Sequence, residues 1–456
     1  MSTINAAFRQ YADLYREVEA VRPATPFMRR INQAGAEAFG AAAEAFRRDP
    51  MGIPETGADR LLAPDYGVNV MRVDLPVDAA AAFHCGVPSL NSFLAVISND
   101  AFHPTPQLLR NMPEGLTVCS LRDVPEHLQD TVFGLIKSRL TGIAACVNAM
   151  MLSDGVLVYA DRGVKVEKAI QIVNISNPAT PMLAPRCVVV IAREDAEVKV
   201  LLCDHSQTKD VEHLSLESVI VSADENAKVE LYDIEEGSAT SRRLWKLYAR
   251  QTDRSELTVN TSCLNGGVTR NDYQIDVAGD YTSTRLSGLA ICTDTQIADN
   301  HVVLTHSGKH GSSRQVFKNA LFDSSRGGFS GRIIVDEGAV FTDADQSNRN
   351  LLLGDDARMT GAPQLEIYCD EVKCSHGATT GQLDERAIFY MQSRGIPRDE
   401  ARRMLTQTFM GDVVDTISFE VLRQRIHVLV EKRLSGAETD CNTCATACKN
   451  QTELPQ

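Results

Sequence analysis

Cys374 and His376 stand two residues apart in Pro363-Gln-Leu-Glu-Ile-Tyr-Cys-Asp-Glu-Val-Lys-Cys-Ser-His-Gly-Ala-Thr379, a stretch with the texture of extended chain. Residues i and i+2 of a strand project to the same face. A thiol and an imidazole on one face can reach one ligand, and both bind iron or zinc well. The competing reading makes Cys374 a small buried hydrophobe and His376 a satisfied polar residue. A second set is Cys441, Cys444 and Cys448. On a helix this spacing gives one stripe of sulfurs, suited to zinc or an iron–sulfur cluster whose fourth ligand comes from elsewhere. On a loose tail the same thiols do nothing specific. A third set, His301, His306 and His310, has spacings that match no standard metal site. Polar ladder or surface roles compete there with metal binding.

Several chemistries find no support. His306-Ser-Gly-Lys-His-Gly-Ser-Ser313 imitates a phosphate loop, but the four-residue gap is missing and the lysine precedes the second glycine. There is no G-x-G-x-x-G after a strand, no G-x-S-x-G elbow and no H-E-x-x-H. The chain is therefore not expected to bind ATP by itself. Asp343, Asp345, Asp355 and Asp356 would have to share one groove in a solitary β-solenoid enzyme acting on a polysaccharide, the alternative function.

The 456 residues carry a formal charge of −14 and are 43% hydrophobic but only 6% aromatic, so valine, isoleucine and alanine must fill the interior. The acidic balance argues against nucleic acid or an anionic membrane as partner. No apolar run approaches the 20 or so residues that span a bilayer; Ile143 to Leu152 is too short. The first residues lack the basic start and apolar stretch of a signal peptide, so a cytoplasmic location is expected. Nine of the twelve cysteines are scattered between Cys85 and Cys374, mostly among apolar neighbours, and read as reduced core thiols.

The elements that must position these groups follow from periodicity. Phe8, Tyr11, Tyr15 and Val18 recur at helical spacing, and helix is expected from Asn5 to about Arg48, ending before Asp49-Pro50 and Gly52-Ile-Pro54. Residues 55–135 are mixed, with another helix starting at Pro125. From about Gly155 three similar turns appear: Val158 to Val166, Val190 to Val198 and Val221 to Val229. Each has alanine, a polar turn, a small residue and alternating valines, with looser copies at Val335 to Val340 and Leu353 to Arg358. Strand-and-turn repeats that cannot bury their faces alone suggest a stacked β-solenoid, with a β-sandwich as the alternative. After Leu383 helices return: one from Asp384 to Gly395, one after Pro397 carrying Met404, Leu405 and Phe409, and one from about Asp415 to Arg433. These divide the chain into a mostly helical region 1–135, a β-rich core 136–383, a helical module 384–434 and a Cys-rich tail 435–456. The apolar stripes of the helical module could dock a partner or pack on the chain's own core.

The run Phe329-Ser-Gly-Arg-Ile-Ile-Val-Asp-Glu-Gly-Ala-Val-Phe-Thr-Asp-Ala-Asp-Gln-Ser-Asn-Arg-Asn-Leu-Leu-Leu353, with Pro363 to Tyr368 and Val372-Lys-Cys-Ser-His-Gly-Ala-Thr379, resembles the SufD-type members of the SufB/SufD family. These are scaffold subunits of the SUF iron–sulfur cluster assembly machine. Asp154 to Val164 and Phe389-Tyr-Met-Gln-Ser-Arg-Gly-Ile396 also fit, and the match is specific from about 150 to 430. Before that, Gly52-Ile-Pro54 sits where the family has a similar tripeptide, without the Trp-Lys-Tyr that usually follows.

The resemblance implies a mainly β fold with α: a right-handed parallel β-helix flanked by N-terminal and C-terminal helical domains. It implies a non-enzymatic scaffold in a SufB–SufC–SufD complex, with SufB pairing on the β-helix and the ATPase SufC docking on the C-terminal helices. It also allows a homodimer in isolation. His376 matches the family histidine implicated in building a nascent cluster, or holding iron, at the boundary with SufB; Cys374 is its neighbour. A reduced flavin could join at the level of the complex. The sister subunit reads His-Glu-Ala-Thr where this chain has His376-Gly-Ala-Thr379, and its proposed cluster cysteine falls near Asn348. The chain is thus expected to supply one ligand to a shared site, not a whole site.

Overall fold

Alternating valines around short polar turns coil the middle of the chain into two stacked sheets. The computed structural model describes residues 5–50, 52–70, 92–105, 108 and 112–436. Its strands are β1 (Phe93–Ser98), β2 (Ala101–Pro104), β3 (Leu116–Ser120), β4 (Val156–Ala160), β5 (Ile170–Ser176), β6 (Met182–Ala192), β7 (Glu197–Ser206), β8 (His213–Ala223), β9 (Lys228–Glu236) and β10 (Ser241–Gln251). They continue as β11 (Glu256–Asn265), β12 (Val268–Val277), β13 (Ser283–Cys292), β14 (Ile297–His306), β15 (Ser312–Leu321), β16 (Arg326–Val335), β17 (Asp343–Leu352), β18 (Arg358–Ile367) and β19 (Lys373–Gly381). The odd strands from β5 onward, with β1 and β2, form a ten-stranded sheet; the even strands from β4 onward, with β3, form a nine-stranded one. From β4 on, each strand pairs in parallel with the strand two further along, as in β5 with β7 and β17 with β19. That is a parallel β-helix, and it decides between solenoid and sandwich.

One corner of the coil needs a residue in the left-handed backbone region on every rung. Gly163, Asp195, Asn226, Arg254, Tyr281, His310 and Phe341 occupy it in turn, with φ between +50° and +74°. Asn, Asp and Gly tolerate this conformation; the bulky members do not favour it. What holds them is a staircase of hydrogen bonds between rungs. The Asp195 N–H donates to the Glu225 carbonyl at 3.0 Å, Asn226 to Asp253 at 2.9 Å, and so on to Phe341, which donates to Glu371 at 2.7 Å. The first three similar turns of the sequence lie at this corner, and so does the copy near Gly338. The copy at Leu353 to Arg358 lies at the opposite corner, between β17 and β18.

Between the sheets lies the main core, which includes Ile170, Val188, Val200, Val219, Leu231, Leu247 and Val259, each fully buried. At the N-terminal end both sheets stop on antiparallel strands, β2 against β1 and β3 against β4. At the C-terminal end β18 and β19 are the last strands of their sheets and no described strand pairs beyond them.

Helices cover the outer faces. α1 (Ala6–Val18), α2 (Pro26–Ala45), α3 (Ala58–Leu61), α4 (Glu126–Ser138) and α5 (Ile143–Met151) precede or flank the first rungs. Phe8, Tyr11 and Phe39 pack on Leu183, Leu214 and Leu244 of the nine-stranded sheet. The single helix expected over 5–48 is two, because Pro23 biases Arg22 away from helical backbone. Thr25 then caps the second, accepting from the Met28 N–H at 3.3 Å, with Pro26 in its first turn. α6 (Glu385–Ser393), α7 (Arg398–Val414) and α8 (Glu420–Leu434) close the described chain. Asp384 caps α6 and Gly395 follows it at φ +86°. The last helix begins at Glu420, not near Asp415, which terminates α7 instead. Met410, Val413, Ile426 and Leu429 pack on Leu201, Tyr232 and Ile291 of the ten-stranded sheet, so this apolar stripe serves the chain's own core. Among the described residues no helix is long and apolar enough to cross a membrane.

Candidate functional site

His376 and Cys374 lie on β19, the last strand of the ten-stranded sheet. The register places each at the end of an inward-facing column. Ile170, Val200, Leu231, Val259 and Leu286 stack through successive rungs, followed by Gln315, Gln346 and His376. The neighbouring column runs Val229, Leu257, Thr284, Ser313, Ala344, Cys374. His376 therefore points along the direction that is core elsewhere, yet it is exposed because no rung among the described residues covers it. Cys374 is half-buried against the cluster of Ile333, Val335, Ala339 and Ala344. Burial pushes its thiol pKa up, only partly offset by a hydrogen bond with the Ala344 backbone.

Beneath them the interior changes character. Gln346 Nε2 donates to Gln315 Oε1 at 2.8 Å, Asn319 Nδ2 to Asn350 Oδ1 at 2.7 Å, and Asn350 Nδ2 to Asn348 Oδ1 at 2.7 Å. Gly331 makes room for this amide ladder: a Cβ there would stand 2.5 Å from Gln346 Nε2. The ladder is not self-satisfied. Asn348 Nδ2, Gln346 Oε1 and Gln315 Nε2 are buried without a hydrogen-bond partner, a costly arrangement for polar groups. Among the described residues no group of three His, Cys, Asp or Glu side chains could hold a metal ion. The end of the solenoid offers an imidazole, a thiol and amides, but not a closed coordination set.

The other candidates separate. The three histidines do not converge. His301, on β14, bonds Asp49 Oδ2 through Nδ1 at 2.9 Å and lies 2.9 Å from Asp299 through Nε2. Burial works against its charged form, but the hydrogen bonds to Asp299 and Asp49 outweigh that and push its pKa up to about 9. His306 bonds Ser313 Oγ at 2.9 Å, and burial pushes its pKa down to about 4. His310 stacks between Tyr281 and Phe341, at 4.5 and 4.7 Å between ring centroids. The four aspartates share no groove. Asp343 is paired with Arg314 at 2.9 Å and Asp345 accepts from Ser375, while Asp355 and Asp356 sit at the far corner. Cys441, Cys444 and Cys448 lie outside the described residues. The described cysteines are all free thiols, and burial holds Cys146 up at about 11.

Sequence reasoning missed two arrangements. Asp49, Ile53 and Thr56 fasten the loop after α2 to the nine-stranded sheet: Asp299 Oδ2 accepts from the Ile53 N–H at 3.0 Å and from Thr56 Oγ1 at 2.6 Å. Gly52 is required there, since a Cβ would meet the His301 ring at 2.9 Å. The second is a charged cluster inside the early rungs. Arg243 makes a bidentate pair with Asp233 at 2.9 and 2.7 Å, and Arg186 holds Asp204 at 3.0 Å. Burial raises Glu217 and Glu235 to about 7 against the pull of Arg243. The available signal was charge at inward positions of otherwise apolar strands, as in Arg186-Cys-Val-Val189.

Residues 174–409 match the family model described as "SUF system FeS cluster assembly, SufBD core domain", and residues 5–172 match "SufBD protein N-terminal region". The chain belongs to the SufB/SufD family. Its role is in iron–sulfur cluster assembly, as the core-domain description states. An iron–sulfur cluster assembly SufBD family protein of Synechocystis sp. is 26% identical over 83% of this chain and 85% of its own length. The Escherichia coli iron–sulfur cluster assembly protein SufD is 36% identical over 38% of this chain and 41% of its own length. That of Bacillus subtilis is 24% identical over 63% and 66%. The core-domain match spans the solenoid from β5 onward and reaches into α7, so the rung carrying His376 lies within it.

Proposed function

We propose that this chain is a non-enzymatic scaffold subunit that joins SufB and the ATPase SufC, and that His376, with Cys374 beside it, supplies a ligand for iron or a nascent cluster at the boundary with SufB. The observation that carries this reading is an inward-facing column that ends on an uncovered imidazole. An unpaired strand edge is a template for another chain, and here two edges, β18 and β19, end the solenoid together. A coordination set left open on this side would be completed by groups of the partner. Without SufB, a second copy would compete for the same edges. The C-terminal helices have apolar side chains left over after packing: Phe389 is 72% exposed and Tyr390 60%. These, with Met404 of α7 at 41%, support α6 and α7 as the surface for SufC.

The test is anaerobic co-purification with SufB and SufC, followed by iron and acid-labile sulfide analysis. The expected result for His376→Ala is an intact complex with cluster content reduced about tenfold or more. Wild-type cluster content in that variant would remove His376 from the site. Failure of either partner to co-purify with the unmodified chain would overturn the scaffold reading.

A further inference from the structure

A cleft of about 600 Å³ lies on the flank of the solenoid, on the outer face of the nine-stranded sheet, and reaches Gln364 of the end strand β18. Its floor is the outer face of the nine-stranded sheet, which contributes Lys246, Arg270, Ser330, Arg332 and Gln364. One wall is the loop after α2, with Phe46 and Arg47; another is the first turn of α5, from Thr141 to Ala145. The volume is that of a small-molecule site.

Three independent features give it a chemical preference. First, the cations are not all neutralised. Arg48 is held by Asp59 at 2.8 Å, Arg270 by Asp272 at 2.8 Å and Arg332 by Glu366 at 3.4 Å. Two carboxylates, Asp49 and Asp272, also line the cleft, and Asp272 lies beside both Arg270 and Lys246; Lys246 and Arg47 form no salt bridge of their own among the described residues, so the cations outnumber the anions. Lys246 Nζ instead rests 4.8 Å from the centroid of the Tyr248 ring. Second, α5 begins without a side-chain cap on Gly142, and its first intrahelical bond is donated by Cys146. The N–H groups of Ile143, Ala144 and Ala145 thus remain available at the positive end of the helix. Third, Thr141, Ser330 and Gln364 line the cleft with side chains that make no hydrogen bond among the described residues. Phe46, Ala42 and Leu244 add an apolar side to it.

The geometry points to a binding site for a small phosphate ester, with its phosphoryl group between Lys246 and the first turn of α5 and its organic part against Phe46 and Leu244. Tetrahedral oxyanions suit helix N-termini flanked by a point cation. A carboxylate would use fewer of these donors. Its occupancy does not depend on the role of His376.

The experiment uses the full chain and naphthyl phosphate, followed by its fluorescence, with naphthoate as the carboxylate counterpart. Saturable binding of the phosphate at micromolar to millimolar concentration is expected, with naphthoate weaker by about tenfold. Lys246→Gln should weaken naphthyl phosphate by about tenfold or more, as the cation facing the phosphoryl group is lost. Gln364→Glu, which adds negative charge at the mouth on an end strand, should do the same if Lys246→Gln fails to fold. Both are judged only where the melting temperature matches that of the unmodified chain. No saturable binding, equal binding of naphthoate, or affinity untouched in a folded variant would each overturn the proposal.

Discussion

The two ends of the solenoid are finished differently. At the first end, antiparallel strands β2 and β3 terminate the sheets, helices pack alongside, and the inward column is Ile170, Val200, Leu231 and Val259. At the last end, β18 and β19 have no described strand beyond them, and the same column becomes Gln315, Gln346 and His376. A coil that only needed to fold would keep its interior apolar and cover its last rung. Apart from the charged cluster around Arg186 and Arg243, this one gives up both within three rungs of the end. If His376 is the ligand proposed above, it stands where contact with another molecule can complete its site.

Truncation in the early column should cost most. Leu231→Ala removes a fully buried side chain from the main core, with an expected loss of about 2–5 kcal/mol in denaturant unfolding. A loss below about 1 kcal/mol, near the cost of a surface change, would mean the early rungs are not the stable part.

The next effect tests how the helical layer is held to the coil. His301 bridges Asp49 of the loop after α2 and Asp299 of β14, with Arg270 nearby. Its folded pKa of about 9 lies above the ordinary value of 6.5. The ion pair therefore contributes fully below about pH 6.5 and is lost as pH rises through about 9. His301→Gln should be less stable than the unmodified chain by up to about 3 kcal/mol near pH 6, and the gap should close toward pH 10. A gap constant across that range would show that packing, not charge, fastens the loop.

The smallest stability change is expected at the open end. The double variant Gln315→Leu, Gln346→Leu restores an apolar column and removes two orphaned amide atoms. Replacing both partners of a buried hydrogen bond by apolar groups is near neutral or stabilising, here by about 1 kcal/mol. Cluster content of the partner-bound complex should fall nonetheless. Unchanged assembly would make the amide ladder a structural accident of the last rungs.

How much of this was legible depended on distance along the chain. The corners could be read because each is a local pattern: alanine, polar turn and alternating valines around Asp195 or Asn226. The helix of Asp384 to Gly395 was equally local. The shared face of Cys374 and His376 followed from strand period alone. By contrast, the column under His376 joins residues about thirty positions apart, and no local periodicity reveals that Gln315, Gln346 and His376 stack. His301 offered three imidazoles in sequence, but its partners are Asp49, 252 residues away, and Asp299 on its own strand. Strands β1 to β3 went unread because they end the sheets by antiparallel pairing and lack the rung repeat.

The staircase of left-handed residues has a mechanical consequence. Each corner hands one hydrogen bond to the rung after it, and the last link runs from Phe341 to Glu371. Once α6 to α8 are pulled off the ten-stranded sheet, a tension acting on β19 would meet these links one at a time, since each rung is bound mainly to its neighbours. The coil should then peel from the His376 end in rung-sized steps, the early rungs giving way last. The end that is open to chemistry is also the end that yields first to force.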